Sequence, residues 1–516
     1  MEILLTGEQM KRVDQDTIQR IGIPSLVLME RAALAVAEEA DRLMKAAYPE
    51  RKPEELRILA ACGTGNNGAD GIAAGRILHG WGYDVTVLLA GNPEHASPEN
   101  QLQKEIASRL FVPVEEASSY VPGTCQLILD ALFGIGLTRP VEGAYGELID
   151  LLQEKKNSGE ARVIAVDIPS GIHSGTGAVL GTAMEADVTV TFGFGKTGLY
   201  LYPGRTWAGR TVTADIGFSS QSLDHSGWDA RRMTREDLAR LPKRAADGNK
   251  GTFGRVLVIA GSKGMCGAAY LSALAAYRTG AGLVKVLTVP ENRAILQTRL
   301  PEAIVETYET EEPEAESFRK EIERHCDWAD VIVLGPGLGR EKYVAYLTEL
   351  VLSYAYVPVV LDADGLNAVA THPYLTRYFT ENIIVTPHMG EMSRLCGCTV
   401  EELKADPVRA AKEYSSRNSA VCVLKDAATV TADKDGDVWV NTSGCSAMAK
   451  GGSGDVLTGV IAGLLARGME GAEVAALGVY LHGLAGEMAA ARHGQQGVLA
   501  EEIADCVPLC EPGECR

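Results

Sequence analysis

The sequence predicts an α/β protein of two domains. Three observations carry that reading. Short apolar strands alternate with amphipathic helices along most of the chain, the pattern of a parallel sheet covered on both faces. The alternation lapses once, around 218–229, where Ser, Gln, Asp, Gly and His take over. On either side of the lapse, a strand runs into a glycine-rich turn and then a helix. The chain has 516 residues, and at about 150 residues per domain that leaves room for two to four domains.

Taken in order, residues 8–47 read as helical, with apolar positions recurring at three and four. A strand over Leu56–Ala61 follows, then a glycine-rich turn and a helix over Ala69–Leu78. Next come strand Asp84–Leu89, a helix near Pro98–Leu110, strand Gln126–Leu132, helix Ala144–Lys155 and strand Arg162–Ile168. Further strands fall at Ala186–Phe192 and Thr211–Asp215. The second run opens with a strand at Arg255–Ala260. It continues through Leu283–Thr288, Val331–Leu334, Val359–Leu361, Ile383–Val385 and Val421–Leu424. Helices Gly454–Ala466, Glu473–Ala491 and Leu499–Cys506 close it. The expected boundaries are a first domain over 1–220, a linker over 221–232 and a second domain over 233–516.

Composition excludes several classes. Apolar residues make up 46% and charged residues 23%, which rules out a disordered or collagen-like chain. The net charge of -19 repels phosphate backbones and anionic membranes, so neither nucleic acid nor membrane is an expected partner. The 11 cysteines are irregularly spaced and include no Cys-x-x-Cys pair, as expected of free thiols in a reducing cytoplasm. The nearest metal-like group is Cys506, Cys510 and Cys515. Met1–Met10 does not read as a signal peptide, and no apolar stretch is expected to reach the roughly 18 residues of a membrane span.

The first glycine turn is Cys62-Gly63-Thr64-Gly65-Asn66-Asn67-Gly68-Ala69-Asp70-Gly71. A tight turn does not require two asparagines and an aspartate, whereas an anion-binding loop before a helix can use them. Two more strand ends carry polar residues: Asp130-Ala131-Leu132-Phe133-Gly134-Ile135-Gly136-Leu137-Thr138-Arg139-Pro140, and Asp167-Ile168-Pro169-Ser170-Gly171. An aspartate there can simply cap the next helix. Ligands of open parallel sheets, however, gather at the carboxyl ends of strands, so these segments should converge.

The set NNGADG, DALFGIGLTRPVEG, VDIPSG and TFGFGKTGLYLYPG resembles the NAD(P)HX epimerase (YjeF N-terminal) family, from about Glu8 to Phe218. That family interconverts the R and S epimers of hydrated NADH and NADPH. The resemblance implies a Rossmann-like three-layer α/β/α domain. It places Asn66, Asn67, Gly68, Ala69 and Asp70, with Gly134, Ile135, Gly136, Leu137, Thr138, Arg139 and Pro140, against the hydrated dinucleotide. It makes Asp167 the catalytic group at the reacting ring and assigns K⁺ to Asn67, Asp130 and Ser170. Oxygen ligands suit that hard cation. Ala69 stands where glycine is commoner in the family.

In the second half, Ala449-Lys450-Gly451-Gly452-Ser453-Gly454-Asp455 opens a strongly apolar helix. Glycine amides at a helix start can hold a transferring phosphate, and an adjacent aspartate can deprotonate the attacking hydroxyl. This Gly-x-Gly-Asp pattern resembles the ribokinase superfamily and is not a Walker loop. GRVLVIAGS, GPGLG, DADGLN, TPHMGE and LKDAAT narrow the resemblance to the ADP/ATP-dependent (S)-NAD(P)HX dehydratase (YjeF C-terminal) family, over about Met233 to Leu509. The resemblance implies a ribokinase-like α/β dehydratase domain. It places Ala268, Gly337, His388 and the catalytic Asp455 against hydrated nucleotide. It places Lys425, Asp426, Ala427, Ala428, Thr429 and Gly454 against ADP or ATP with Mg²⁺. Asp426 stands where glycine is commoner.

The expected function is therefore repair of hydrated nicotinamide nucleotides, NADHX and NADPHX, in a cytoplasmic homo-oligomer. The first domain converts R to S, and the second dehydrates S at the expense of ADP or ATP. Two alternatives use the same residues. One is a ribokinase-like vitamin kinase fused to a non-catalytic binding domain. The other makes the first domain a protein-interaction module.

Overall fold

The computed structural model describes residues 1–120 and 123–510. The chain divides into two compact units that meet in sequence at Ala230 and Arg231.

The first unit contains β1 (Glu2–Leu5), β2 (Arg57–Cys62), β3 (Asp84–Leu89), β4 (Val114–Glu116), β5 (Leu127–Ala131), β6 (Arg162–Val166), β7 (Val188–Phe192), β8 (Gly195–Lys196) and β9 (Arg210–Ala214). Seven of them form a parallel sheet in the order β4-β3-β2-β5-β6-β7-β9. The chain moves outward from β2 to β4, then returns to start again at β5. Strand order thus reverses between β2 and β5, the place where such sheets open a crevice for ligands. One face is packed by helices Ser25–Ala47 and Asn66–Gly80, through Val36, Met44, Ile72 and Leu78. The other is packed by helix Gly143–Asn157, through Leu148, Ile149 and Leu152.

Three expectations need correction here. The helical stretch 8–47 is broken: helix Gly7–Asp16 runs into a π turn over Thr17–Ile21, and a new helix starts at Ser25. Gly22 is left-handed at φ +91° and Pro24 cannot donate, so the ladder stops between them. The helix after the first glycine turn begins at Asn66 rather than Ala69, which puts both asparagines in its first turn. The expected linker carries a helix, Ser220–Ser226, capped by Ser219. Its Leu223 is buried against Leu5, Met10 and Val13, one apolar contact that a polar stretch of sequence conceals.

The short strand β10 (Ala230–Arg232) straddles the division. The second unit then builds β11 (Arg255–Ile259), β12 (Leu283–Thr288), β13 (Ile304–Thr307), β14 (Val331–Leu334), β15 (Val359–Leu361), β16 (Ile383–Val385), β17 (Val421–Leu424), β18 (Val430–Ala432) and β19 (Val438–Val440). Their order is β13-β12-β11-β14-β15-β16-β17-β18-β19. Pairing is parallel as far as β17, and β18 and β19 add an antiparallel hairpin. Helices Cys266–Arg278, Ser453–Ala466 and Gly471–His493 form the main core over this sheet.

The last of these helices corrects a further expectation. Gly471–His493 is long and apolar enough to cross a membrane by length and composition, but 83% of its most apolar window is buried inside the unit. It is a core helix, apolar all round because protein surrounds it. Of the tail cysteines, the Cys510 thiol donates to the Cys506 carbonyl at 3.4 Å, and Cys515 lies outside the described residues.

Candidate active sites

In the first unit the ends of β5, β6 and β7 and the start of helix Asn66–Gly80 enclose a cavity of about 910 Å³. Asn66, Asn67, Asp70, Gly134, Ile135, Gly136, Leu137, Thr138, Arg139 and Asp167 all line it. Three predicted residues do not. Gly68 and Ala69 are buried behind the turn, and Pro140 is exposed beyond its rim.

Asp167 ends β6 with φ +68°, a strained setting for a residue with a side chain. Hydrogen bonds hold it there. Its amide donates to the Val190 carbonyl at 2.8 Å. Its Oδ1 accepts from Lys196 Nζ at 2.6 Å, Thr191 Oγ1 at 3.0 Å and the Phe192 amide at 3.1 Å. Lys196 is fully buried, and its ammonium also donates to the Phe192 carbonyl at 2.8 Å. Burial works to lower the Lys196 pKa, while Asp167, Asp14 and Asp70 oppose that. Both Asp14 and Asp70 also line the cavity, and both carboxyls are pushed up, by burial first and then by Asp167. One buried cation therefore faces three carboxyl groups.

Beneath the wall lies Asp130, with no exposed surface. It accepts from the Ser170 amide at 2.7 Å and the Ser170 hydroxyl at 2.5 Å. The same hydroxyl accepts from the Phe133 amide at 3.0 Å, and Asn67 Nδ2 donates to the Phe133 carbonyl at 3.0 Å. Burial pushes the Asp130 carboxyl up to about 6. A buried carboxylate among neutral oxygens suits a hard monovalent cation.

The second site surrounds the turn that starts helix Ser453–Ala466. Gly452 is left-handed at φ +91° and caps that helix. Below it, Lys425 Nζ lies 2.7 Å from Asp362 Oδ1, and Thr458 Oγ1 donates to Asp362 Oδ2 at 3.1 Å. A Cβ on Gly454 would lie 3.2 Å from that ammonium, so glycine there lets the charge sit directly under the turn. Asp455 stands beside the pair and is pushed up to about 7, by burial first and then by Asp362. Lys425 itself stays protonated: burial lowers it, but Asp362 and Glu391 outweigh burial.

His388 caps helix Met389–Cys396, its Nδ1 accepting from the Gly390 amide at 3.0 Å. A β-bridge places it beside Lys425. Ala268 and Gly337 adjoin, since a Cβ on Gly337 would lie 2.9 Å from that of Ala268. Asp426 and Ala427 form an exposed turn after β17, while Ala428 and Thr429 are buried in its return to β18. Behind the glycine turn, His482 Nε2 is 3.5 Å from Ser453 Oγ. Burial and Lys425 hold that imidazole down to about 4, so it is neutral.

Residues 256–509 match the family model described as NAD(P)H-hydrate dehydratase, and residues 25–198 match YjeF-related protein N-terminus. The chain is 36% identical to the bifunctional NAD(P)H-hydrate repair enzyme of Moorella thermoacetica, covering 98% of this chain and 96% of that one. The chain belongs to that family. To the bifunctional NAD(P)H-hydrate repair enzyme of Escherichia coli it is 35% identical, over 96% and 92% of the two chains. A solved ADP/ATP-dependent NAD(P)H-hydrate dehydratase from Bacillus subtilis, co-crystallised with ATP and Mg²⁺, is 34% identical. It matches with a TM-score of 0.46 over 54% of this chain and 96% of its own.

As a bifunctional NAD(P)H-hydrate repair enzyme, the protein joins a Rossmann-like epimerase domain to a ribokinase-like dehydratase domain. Sequence reasoning missed four side chains of these two sites: Lys196 and Asp14 in the first, Asp362 and Thr458 in the second. Lys196 and Asp362 lie inside the quoted segments TFGFGKTGLYLYPG and DADGLN. The signal was present, but nothing in one sequence pairs them with their partners.

Proposed function

We propose that Asp167 and Asp455 are the catalytic residues of the epimerase and dehydratase sites, and that the two sites act in sequence on hydrated NADH and NADPH. The observation that carries this reading is the Asp455 carboxyl, pushed up to about 7 beside a glycine turn. A base with that pKa is half-ionised near neutral pH, where proton transfer is most effective.

In the first site, Asn66, Asn67, Asp70 and Gly134–Arg139 receive the dinucleotide. Epimerisation requires the ring carbon to lose its hydroxyl and regain it on the opposite face. A proton from the carboxyl cluster leaves with the hydroxyl as water. Asp167, fixed by Lys196, stabilises the cationic ring. Water then adds to the other face and returns a proton to the cluster. Asn67, Asp130 and Ser170 would hold K⁺, which would supply a counter-charge to the buried Asp130 carboxylate.

In the second site, Ala268, Gly337 and His388 receive (S)-NAD(P)HX. Lys425–Thr429 and Gly454 would hold ADP or ATP, and the glycine amides, with the Mg²⁺ that accompanies the nucleotide when bound, would balance its charge. Asp455 takes the proton of the ring hydroxyl. The oxygen bonds the terminal phosphorus as the bond to the nucleotide breaks. Phosphate then leaves with the C–O electron pair and takes up the neighbouring ring proton, and the electrons of that C–H bond restore the double bond. The acidic charge and irregular cysteines support a cytoplasmic setting. The chain acts as a homo-oligomer.

The test is recovery of reduced-nicotinamide absorbance from mixed R and S NADHX, with ADP and ATP supplied separately. Complete recovery is expected. Recovery of the S fraction alone leaves the first unit a non-catalytic binder. No recovery returns the second unit to the vitamin-kinase reading.

A further inference from the structure

Beyond Thr64 lies a second cavity, of about 730 Å³, over the carboxyl ends of β2, β3 and β4. Thr64 lines both cavities. The first draws its wall from the ends of β5, β6 and β7, on the other side of the point where strand order reverses. A sheet wound in this order offers one half-site on each side of the reversal, and a dinucleotide has two halves.

The turn between them is Gly63-Thr64-Gly65-Asn66-Asn67-Gly68, and its glycines differ in their surroundings. A Cβ on Gly63 would lie 2.1 Å from the Leu132 carbonyl oxygen, and one on Gly68 would lie 1.8 Å from that of Gly63. Backbone fills both places. A Cβ on Gly65 would meet nothing within 4 Å. The outer two glycines thus close the turn, and the middle one presents bare backbone to open space. That division of roles lets a pyrophosphate cross the turn closely.

The charges of the second cavity cancel. Lys104 lies 3.8 Å from Glu116, and Arg109 lies 3.3 Å from Glu105. A cavity without net charge suits an uncharged ring system better than a bare phosphate.

We propose that this second cavity binds the adenosine end of the hydrated dinucleotide, with the pyrophosphate over Gly65 and the hydrated ring in the first cavity. The proposal rests on the first cavity being the epimerase site. Volume, strand order and the open face of Gly65 all place the far half of the substrate there.

The test compares epimerisation of (R)-NADHX by the full chain with epimerisation of the hydrated mononucleotide, which lacks adenosine. The dinucleotide is expected to have a kcat/KM at least about tenfold higher, because binding energy from the remote half is used at the reacting centre. Ala96→Trp fills the cavity and should bring that ratio close to one. Gln101→Trp, on the same wall, serves if the first variant fails to fold. Equal kcat/KM for the two substrates in the unaltered chain overturns the proposal, as does a ratio that neither tryptophan changes. A chain that epimerises neither substrate overturns the assignment of the first cavity, and this one with it.

Discussion

In the epimerase site the buried lysine, Lys196, is spent on Asp167, with Nζ 2.6 Å from its Oδ1. In the dehydratase site the corresponding pair is Lys425 with Asp362, at 2.7 Å, and Asp455 stands beside it. The difference sorts the chemistry. A carboxylate bound to its own ammonium keeps one orientation, which suits holding a substrate ring in place. A buried carboxylate next to a second carboxylate has its proton affinity raised, by burial first and then by its neighbour, which suits taking a proton and giving it back. The same two residue types give an anchored carboxylate in one site and a titrating base in the other.

The strongest way to break this comparison is Asp455→Asn. We expect dehydration to fall by about 10³-fold while R-to-S conversion, followed by chromatography, stays unchanged. Loss of both activities in a folded variant rules out two independent sites. Next comes Lys196→Met, which leaves Asp167 buried without its cation. The expected loss is about 3–5 kcal/mol of stability, read by urea unfolding, together with epimerisation. The double variant Lys196→Met with Asp167→Leu should recover the unfolding midpoint but not the activity. Recovery of both shows that the pair is only structural.

The third prediction uses pH. Below about 7 the dehydration kcat/KM should fall about tenfold per pH unit as Asp455 takes up its proton, and above about 7 it should level off. Stability must move the other way. The folded pKa of Asp455 lies above its ordinary value of 3.8, so the folded state holds the proton more tightly. That contribution is complete below pH 3.8 and is lost as pH rises through about 7. Asp455→Asn should remove this slope from unfolding curves of the nucleotide-free protein. The smallest effect expected is at Asp130. Replacing K⁺ by tetramethylammonium should lower the melting temperature of the first unit at pH 8 by about 2–4 °C, the shift of about 1 kcal/mol. At pH 5 the shift should be smaller, because Asp130, pushed up to about 6, then carries its own proton.

The sequence was most legible where burial is complete. Strands Asp84–Leu89, Leu283–Thr288, Val331–Leu334 and Val421–Leu424 fall as expected, because apolar runs flanked by polar residues mark strands of a covered sheet. The pair β1 and β8 and the hairpin of β18 and β19 were missed. Each of these strands has only two to four residues, and none lies between two helices, so the strand–helix alternation does not mark it. Asp167 and Asp455 were legible as members of local motifs. Lys196 lies 29 residues from its partner, and Lys425 lies 63 residues from Asp362. Those pairs exist only once the sheet has brought its strand ends together, so no local pattern announces them.

Helix Gly471–His493 raises a problem of manufacture rather than of chemistry. A ribosome delivers these 23 residues as a segment that resembles a membrane span in length and hydropathy. Its folded neighbours include strand β17 and helix Ser453–Ala466, and both leave the ribosome before it. By the time the apolar helix emerges, one wall of the trough that buries it has already been synthesised, and helix Ala500–Cys506 closes the other wall immediately after it. The order of elements along the chain therefore shortens the exposure of this segment, and a circular permutation that made it first would lengthen it.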